Sequence, residues 1–583
     1  MILFFTFFLS CFLLSFTRAS LSFSSSFLVF VPLFFFLLIP FNGGSFSANW
    51  LSWLGSVGSG LTSWGFNLDT LSAFMLLLIT LVFATVFFFS LSYVGQDPSL
   101  LLFLSYLFLF SLFMFVLVTA PSLLQMFLGW EGVGLCSYLL INFWCGRVWA
   151  NRAAIKAMVL NKVGDVALLG AMGALVFVVG SYGWVELSIW PFLGLAACFL
   201  FLIAVMAKSA QLLLHFWLPD AMEGPTPVSA LIHAATMVTA GVFFLLRGSA
   251  LWVYSSFSLV LIVLGGLTAF YASLCALSQW DYKKVVAYST CSQLGYMVLV
   301  CGFQGYEHSL FHLFNHGFFK ALLFLGAGFT IYLWSDEQDI RRGGGLLLKS
   351  PLIYLFALTA SLALMGFPFL TGFYSKDLLL ELLLSSHKWG WGAWLAYLAA
   401  FCTVSYSLKL LWVSTFNFPL SSPSRYVSSS FPYFFLLLFL LFFFSLFAGW
   451  FFSFSWSVAR GFLVGPFTFL VPLFLLLLGF LYALFSFFYH THSFSRFLFS
   501  YFSHLAYLDF LLGSISHLSL FWSFSTAYKQ LDLSFLPKAL PQFISSTPHF
   551  YTIFVAPFVS YNLVLFLLIL VSFFSYFFFF SFL

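Results

Sequence analysis

Five ionisable residues interrupt long apolar runs of this sequence. Glu131 and Asp165 sit in or at the edge of apolar stretches, Lys208 breaks FLFLIAVMAKSAQLLL, Lys320 breaks HGFFKALLFLG, and Lys376 follows the break in LMGFPFLTGFYSK. If those runs lie in lipid, each central charge costs about 2.5 to 3.5 kcal/mol, and five unpaired ones cost on the order of 15 kcal/mol, the whole stability of a typical fold. They must be paired, hydrated or held neutral. A single lysine near a helix end ordinarily snorkels, so Lys376 or Glu131 alone reads equally well as structural. Five in one region read differently. Burial disfavours the charged form of lysine and carboxylate alike and brings both toward the range in which protons exchange at neutral pH. That is the chemistry of an ion path, which a static scaffold does not need.

Histidines extend the pattern. In HSLFHLFNHGFFKALL, His308, His312, His316 and Lys320 recur every four residues. On a helix they descend one face with a rise of about 6 Å per step. One or two waters bridge such a gap, which suits proton hopping. Two rival readings stay open at this point: a metal or haem site, because histidines at i and i+4 can share a ligand, and plain hydrogen-bonded interior histidines.

The elements that must position these groups are helices. Of 583 residues 63% are hydrophobic and 6% charged, far from the quarter charged that an aqueous surface carries. With a mean hydropathy of +1.09, lipid is the solvent for most side chains. Apolar runs of about 20 residues without period-two alternation exclude a barrel. The expected fold is an all-α polytopic membrane protein with about sixteen transmembrane helices. Their cores are expected at 2–16, 21–41, 66–93, 100–119, 123–143, 158–182, 192–215, 227–246, 253–277, 285–301, 310–333, 351–374, 391–413, 433–454, 464–489 and 551–582, with a linker at 417–432. The start, MILFFTFFLSCFLLSFTRAS, has Arg18 after its apolar run and no charged segment before it, so it reads as a first span and not as a signal peptide.

Of the 37 Asp, Glu, Lys and Arg residues, 27 fall between Gly129 and Leu410, so the working part is central and the flanks are scaffold. There, LHFWLPDAMEGPTPVS places Pro219, Gly224, Pro225 and Pro227 soon after Lys208, and MGFPFLTGFYSKD places Gly366, Pro368 and Gly372 just before Lys376. Two interrupted segments in corresponding places, each with a lysine, indicate a repeated transport unit in which unwound backbone lines a cavity at membrane depth. The net charge of +5 is spread without a basic cluster, so nucleic acid is not a partner. The eight cysteines contain no C-x-x-C pair and read as small buried hydrophobes. The Phe count of 89 reads as a coding bias and not as a binding site.

The stretches LGWEGVGLCSYLLINFW (128–144), AKSAQLLLHFWLPDAMEGPTPVSALIHAATMVTAGVF (207–243), DYKKVVAYSTCSQLGYMV (281–298) and GFPFLTGFYSKD (366–377) resemble the antiporter-like membrane subunits of respiratory complex I. The resemblance covers about 69–409. GWEGVGLCSYLL points to the distal member and away from its paralogues, chains 2 and 4. It implies a proton-translocating subunit of NADH:ubiquinone reductase with two inverted repeats, 100–248 and 249–415, each containing a broken helix. N-terminal spans at 1–99, further spans at 416–490, a lateral amphipathic helix within 491–550 (about 493–535) and an anchor at 551–583 complete the layout. Residue by residue, Glu131 and Lys208 resemble the paired carboxylate and lysine of the first half-channel, with Asp165 a further acidic member. His233, His312, His316 and Lys320 resemble the central hydrophilic axis, and Lys376 with Asp377 its distal end. Lys162 stands where the family more often has Arg, His215-Phe216-Trp217 replaces the commoner His-Pro-Trp, and Lys409 follows Tyr406 where Arg is usual.

No nucleotide loop, flavin site or cluster ligand set is visible in the sequence. The resemblance therefore implies no cofactor in this chain, with NADH, FMN, iron-sulfur clusters and ubiquinone bound by other subunits. Its implied partners are the other membrane-arm subunits, notably chains 4 and 2 along the lateral helix, together with accessory subunits and lipids. The implied location is the mitochondrial inner membrane, which the Phe bias and the lack of an import presequence favour. The alternative is a subunit of a multisubunit cation/proton antiporter, which shares these motifs.

Overall fold

The computed structural model describes residues 46–53, 62–95, 97–179, 184, 195–234, 236–249, 255–385, 390–416, 432–455 and 466–488. The spans expected at 2–16, 21–41 and 551–582, the lateral helix at 493–535 and the linker at 417–432, apart from Pro432, lie outside the described residues. What is described is almost wholly helical, and nine of its helices are long and apolar enough to cross a membrane. The chain is a multi-pass membrane protein.

The first described element is not a span. β1 (Phe46–Trp53) and β2 (Thr62–Leu68) pair antiparallel, from Phe46 opposite Leu68 to Trp53 opposite Thr62, with a one-residue register shift between Asn49 and Leu51. The helix expected from residue 66 begins only at Thr70, because Asp69 and Ser72 close a capping box there. Two contacts fasten the hairpin: Gln125 bonds both backbone groups of Gly65, at 3.0 and 2.9 Å, and Asp69 pairs with Arg247 at 2.7 Å.

The remainder follows the apolar runs. α1 is Thr70–Tyr93, α2 Leu100–Thr119, α3 Leu123–Ile141, α4 Val148–Val179 and α5 Leu195–Lys208. After an irregular stretch come α6 (Thr226–Ala234) and α7 (Met237–Arg247). Then follow α8 (Ser255–Ser278), α9 (Tyr282–Gly302), α10 (Tyr306–Leu333) and α11 (Pro351–Met365). A π-helical turn, Phe373–Asp377, leads into α12 (Leu378–Ser385), α13 (Gly390–Phe416), α14 (Pro432–Ser455) and α15 (Pro466–Phe488).

Three expected boundaries are corrected. α4 starts ten residues before the expected 158, because Arg152 and Lys156 lie within the helix near its end and not in a loop. The span expected at 192–215 stops at Lys208, beyond which Ala210 and Leu213 take left-handed conformations, whereas that expected at 227–246 is the candidate span Thr226–Arg247. The span expected at 351–374 stops at Met365, where Gly366 takes the left-handed conformation (φ 89°) that ends a helix.

With α6 and α7 taken together as the span Thr226–Arg247, the order long, long, long, broken, long occurs twice, in α2 to α7 and again in α8 to α13. If each unit crosses once, five crossings are an odd number, so the second run starts from the face opposite the first and has inverted topology. Contacts at the two faces agree. The Asp69–Arg247 pair and the Tyr306 to Ser249 carbonyl bond (3.4 Å) join helix ends on one face, while Asp281 bridges to Asp339 and Lys409 bonds the Leu277 and Gln279 carbonyls on the other.

The span formed by α6 and α7 and the helices α9 and α10 are innermost and buried over nearly their whole length, whereas α4 presents one side outward. α8 and α9 approach so closely that a Cβ on Gly295 would lie 2.6 Å from the backbone nitrogen of Ala269. Small residues permit such approach where lipid offers no hydrophobic drive for association. Gly295→Val should therefore destabilise by about 1–3 kcal/mol or more, since backbone cannot yield as a side chain does. The amount of this chain recovered from membranes should fall accordingly.

Candidate functional site

Both helix breaks hold a lysine. α5 ends at Lys208, and the chain then leaves helical geometry, with Ala210 (φ 50°) and Leu213 (φ 78°) in the left-handed region. The carbonyls freed there are taken up by side chains: Ala207 O accepts from Trp217 Nε1 (3.0 Å) and Ala210 O from Cys291 Sγ (3.1 Å). At the second break Lys376 sits in the π-helical turn and donates to the freed carbonyls of Leu364 (3.4 Å) and Met365 (3.1 Å) and to Thr403 Oγ1 (2.6 Å). π-helical turns are uncommon and concentrate at functional positions. Asp377 is half-buried in the same turn.

The sequence reading pairs Glu131 with Lys208, and here the structure differs. The direct partner of Glu131 is Lys162, one of the family departures noted above. Lys162 also lies 3.6 Å from Asp165, and Asp165 lies 3.9 Å from Lys208. Glu131, Lys162, Asp165 and Lys208 thus alternate in sign along one chain. Glu131 and Lys162 are 23% and 43% exposed, and Asp165 and Lys208 only 3% and 1%, so the row leads from the outward side of α4 into the interior. The correction has a simple cause: Lys162 and Asp165 are one turn apart on α4, so both reach α3, and Lys162 intervenes between the two expected partners. Trp130 fixes the inner end. Its indole nitrogen donates to Asp165 Oδ1 at 2.9 Å, and its carbonyl accepts from Lys208 at 3.3 Å.

The central residues also assemble. Lys320 is fully buried and donates to Ser289 Oγ (2.5 Å) and the Val286 carbonyl (3.4 Å), both on α9. No carboxylate lies within ion-pair distance of it among the described residues. His233 is buried between the rings of Trp217 and Phe324, the latter one turn along α10 from Lys320. His312 is held on both sides, by Ser375 Oγ at Nδ1 (3.0 Å) and by Gln293 Oε1 at Nε2 (3.1 Å). The amide oxygen can only accept, so Nε2 carries the hydrogen and Nδ1 is left to accept from Ser375. With both nitrogens engaged, His312 has none to offer a ligand shared with His316, whose ring centroid is 6.2 Å away. His316 is buried with neither nitrogen bonded to a described group, and His308, half-buried near the start of α10, stands apart from these bonds.

Six contributors escape the sequence reading as site residues: Trp130, Lys162, Ser289, Gln293, Ser375 and Thr403. Ser289, Ser292, Gln293 and Tyr296 recur at i, i+3, i+4 and i+7 in YSTCSQLGY, a polar stripe on a helix with no reason to face lipid. That period is the signal that finds Ser289 and Gln293.

Comparison with known proteins agrees with this geometry. The family described as NADH:quinone oxidoreductase/Mrp antiporter, TM matches residues 120–404, and that described as NADH-Ubiquinone oxidoreductase (complex I), chain 5 N-terminus matches residues 53–104. Among curated proteins, the NADH-ubiquinone oxidoreductase chain 5 of Metridium senile is 52% identical over 359 residues, covering 60% of this chain and 59% of that one. The protein of the same name from Acanthamoeba castellanii is 49% identical over 414 residues, covering 67% and 61%. The chain thus spans about three-fifths of the length of the curated relatives it matches. A chain in a solved Mrp complex from Dietzia sp. superposes with a TM-score of 0.73 at 23% identity, over 90% of this chain and 61% of that one, which is a likeness of fold.

Proposed function

This chain belongs to the NADH-ubiquinone oxidoreductase chain 5 family, and we propose that it is a proton-translocating membrane-arm subunit of respiratory complex I. The observation that carries the reading is the state of Lys320, buried on an innermost helix and bonded only to a hydroxyl and a carbonyl. A structural cation at such depth is ordinarily matched by a carboxylate, because an uncompensated buried charge costs several kcal/mol. A lysine held by neutral dipoles instead releases and regains a proton without any ion pair to break.

On this reading Glu131, Lys162, Asp165 and Lys208 form the path of the first half, 100–248. Lys320, His312, Lys376 and Asp377 form that of the second, 249–415, and His233 and His316 lie along the axis between them. Residues 1–99 and 416–490 are scaffold, 491–550 the lateral helix and 551–583 the anchor. The redox chemistry of NADH, FMN, iron-sulfur clusters and ubiquinone belongs to other subunits. This chain receives its signal as a shift in electrostatics or conformation. Moving one charge against 100 mV takes about 2.3 kcal/mol, within what remaking one buried ion pair supplies. Its partners are the other membrane-arm subunits, chains 4 and 2 among them along the lateral helix, with accessory subunits and lipids, in the mitochondrial inner membrane.

The orientation follows from charge. Among the described residues near the helix ends, Arg147, Arg152, Lys156, Lys283, Lys284, Arg341, Arg342, Lys349 and Lys409 belong to one membrane face and Arg247 to the other. The face rich in Lys and Arg is the inner one, here the matrix side.

The test is the native complex, immunopurified through this chain and placed in vesicles. It should oxidise NADH with a quinone and move protons until a protonophore collapses the gradient. Sodium-driven proton movement without NADH oxidation would replace this reading with that of a cation/proton antiporter subunit.

A further inference from the structure

The spacing of His312, His316 and Lys320 draws the eye along α10, yet the hydrogen bonds leave that helix. Lys320 bonds Ser289, and His312 bonds Gln293, both on the polar stripe of α9. Tyr406 of α13 faces the same stripe. It is 1% exposed, and its hydroxyl lies beside Ser289, Ser292 and Gln293 without closing a hydrogen bond of normal geometry to any of them. The Gln293 amide nitrogen, at the same place, is likewise buried without a bond to a described group. Buried hydroxyls and amides are bonded in all but a few cases, so two unsatisfied ones at one place point to a group that exchanges partners. One turn from Tyr406 on α13 is Thr403, whose hydroxyl accepts from Lys376 at 2.6 Å. Residues three apart on a helix are neighbours.

We propose that the Tyr406 hydroxyl is the relay that joins Lys320 to Lys376, across the seam of α9 and α13 and not down α10 through His316. The inference rests on the proton-translocating reading above. In the step, the Lys320 ammonium gives a proton to Ser289 Oγ as the proton of Ser289 passes to the Tyr406 oxygen. The phenolic proton passes, directly or through one water, to Thr403 Oγ1, whose own proton goes to a neutral Lys376 amine. Each oxygen gains one proton and loses one, so the net change is that Lys320 becomes the amine and Lys376 the ammonium. Ser289 now donates to the Val286 carbonyl at 2.8 Å and Thr403 to that of Ala400 at 2.7 Å, so each hydroxyl must rotate once to pass its proton on. Gln293 holds His312 beside this route as a positioning residue.

Tyr406→Phe removes the hydroxyl and keeps the ring, so the native complex carrying it should assemble. Its protons moved per NADH oxidised should fall to the level of a Lys320→Met complex. Ser289→Ala should produce the same loss, and the double variant no further loss, because both interrupt one path; two independent structural defects would add. Ser405→Ala, which removes a hydroxyl bonded only to the Cys402 carbonyl within α13, should leave pumping intact. Full pumping by Tyr406→Phe or by Ser289→Ala, beside loss in Lys320→Met, overturns the relay and leaves the function standing. Full pumping by Lys320→Met as well overturns both.

Discussion

Replacing Lys320 with Met should give a complex that assembles and oxidises NADH in part but moves fewer protons per electron, and replacing it with Arg should do the same although the charge is kept. Met suits the site because the interior around Lys320 is fully buried. Losing the ammonium does not strand Ser289, whose hydroxyl also donates to the Val286 carbonyl at 2.8 Å. Arg fails for a different reason. A guanidinium does not deprotonate in this range and brings five donors, where the structure offers Lys320 one hydroxyl and one carbonyl. Like-charge repulsion completes the argument. A second positive charge approaching a loaded lysine favours its discharge, so loading Lys320 should promote release at Lys376. The readout is the ratio of proton movement, followed with a pH-sensitive dye in vesicles, to NADH oxidation. If Arg restores full pumping, Lys320 is only a fixed countercharge and the central axis has to be given up.

Helix existence was legible because a bilayer leaves the backbone no other choice over twenty apolar residues. The second break was legible where it falls, from Gly366 and Gly372, but the first was not: it falls at 209–216, ahead of Pro219 and within the span expected to reach 215, where no proline or glycine marks it. The hairpin at Phe46–Leu68 was not legible either. Ser, Asn, Thr and Gly interrupt its apolar residues, so it offered no span, and what fixes it is long-range: the Gly65 bonds to Gln125, sixty positions away, and the Asp69–Arg247 pair. The ionisable residues were legible as a set, because each is costly alone. Their pairing was not, because distance between helices is not encoded in spacing along one. Lys162 is the instructive case: in sequence it is a conservative departure from the family's Arg, and in space it stands between the two residues expected to meet. The stripe from Ser289 to Tyr296 had a readable period, but neutral hydroxyls and amides lack the cost that makes a buried charge conspicuous.

Asp165→Asn should have the second large effect, and its pairing with Lys208→Met separates a structural role from a functional one. Asn keeps the shape of Asp165 and an oxygen for the Trp130 indole nitrogen, which now donates to the carboxylate at 2.9 Å. What it removes is the countercharge 3.9 Å from Lys208, in a place where both side chains are at most 3% exposed and water screens little. Breaking such a pair from one side costs about 3–5 kcal/mol when the remaining ion stays charged, and less if the lysine escapes by losing its proton. The Asp165→Asn complex should therefore accumulate poorly and pump poorly. Adding Lys208→Met removes the stranded cation, and the level of assembled complex, read on a native gel, should recover by an amount the single variants do not sum to. Pumping should not recover with it, because the row that begins at Glu131 and Lys162 would then end with no group able to take or give a proton. A double variant that both assembles and pumps at the normal ratio would mean that Asp165 and Lys208 only hold α4 against α5, and the first half-channel would have to be sought elsewhere in the fold.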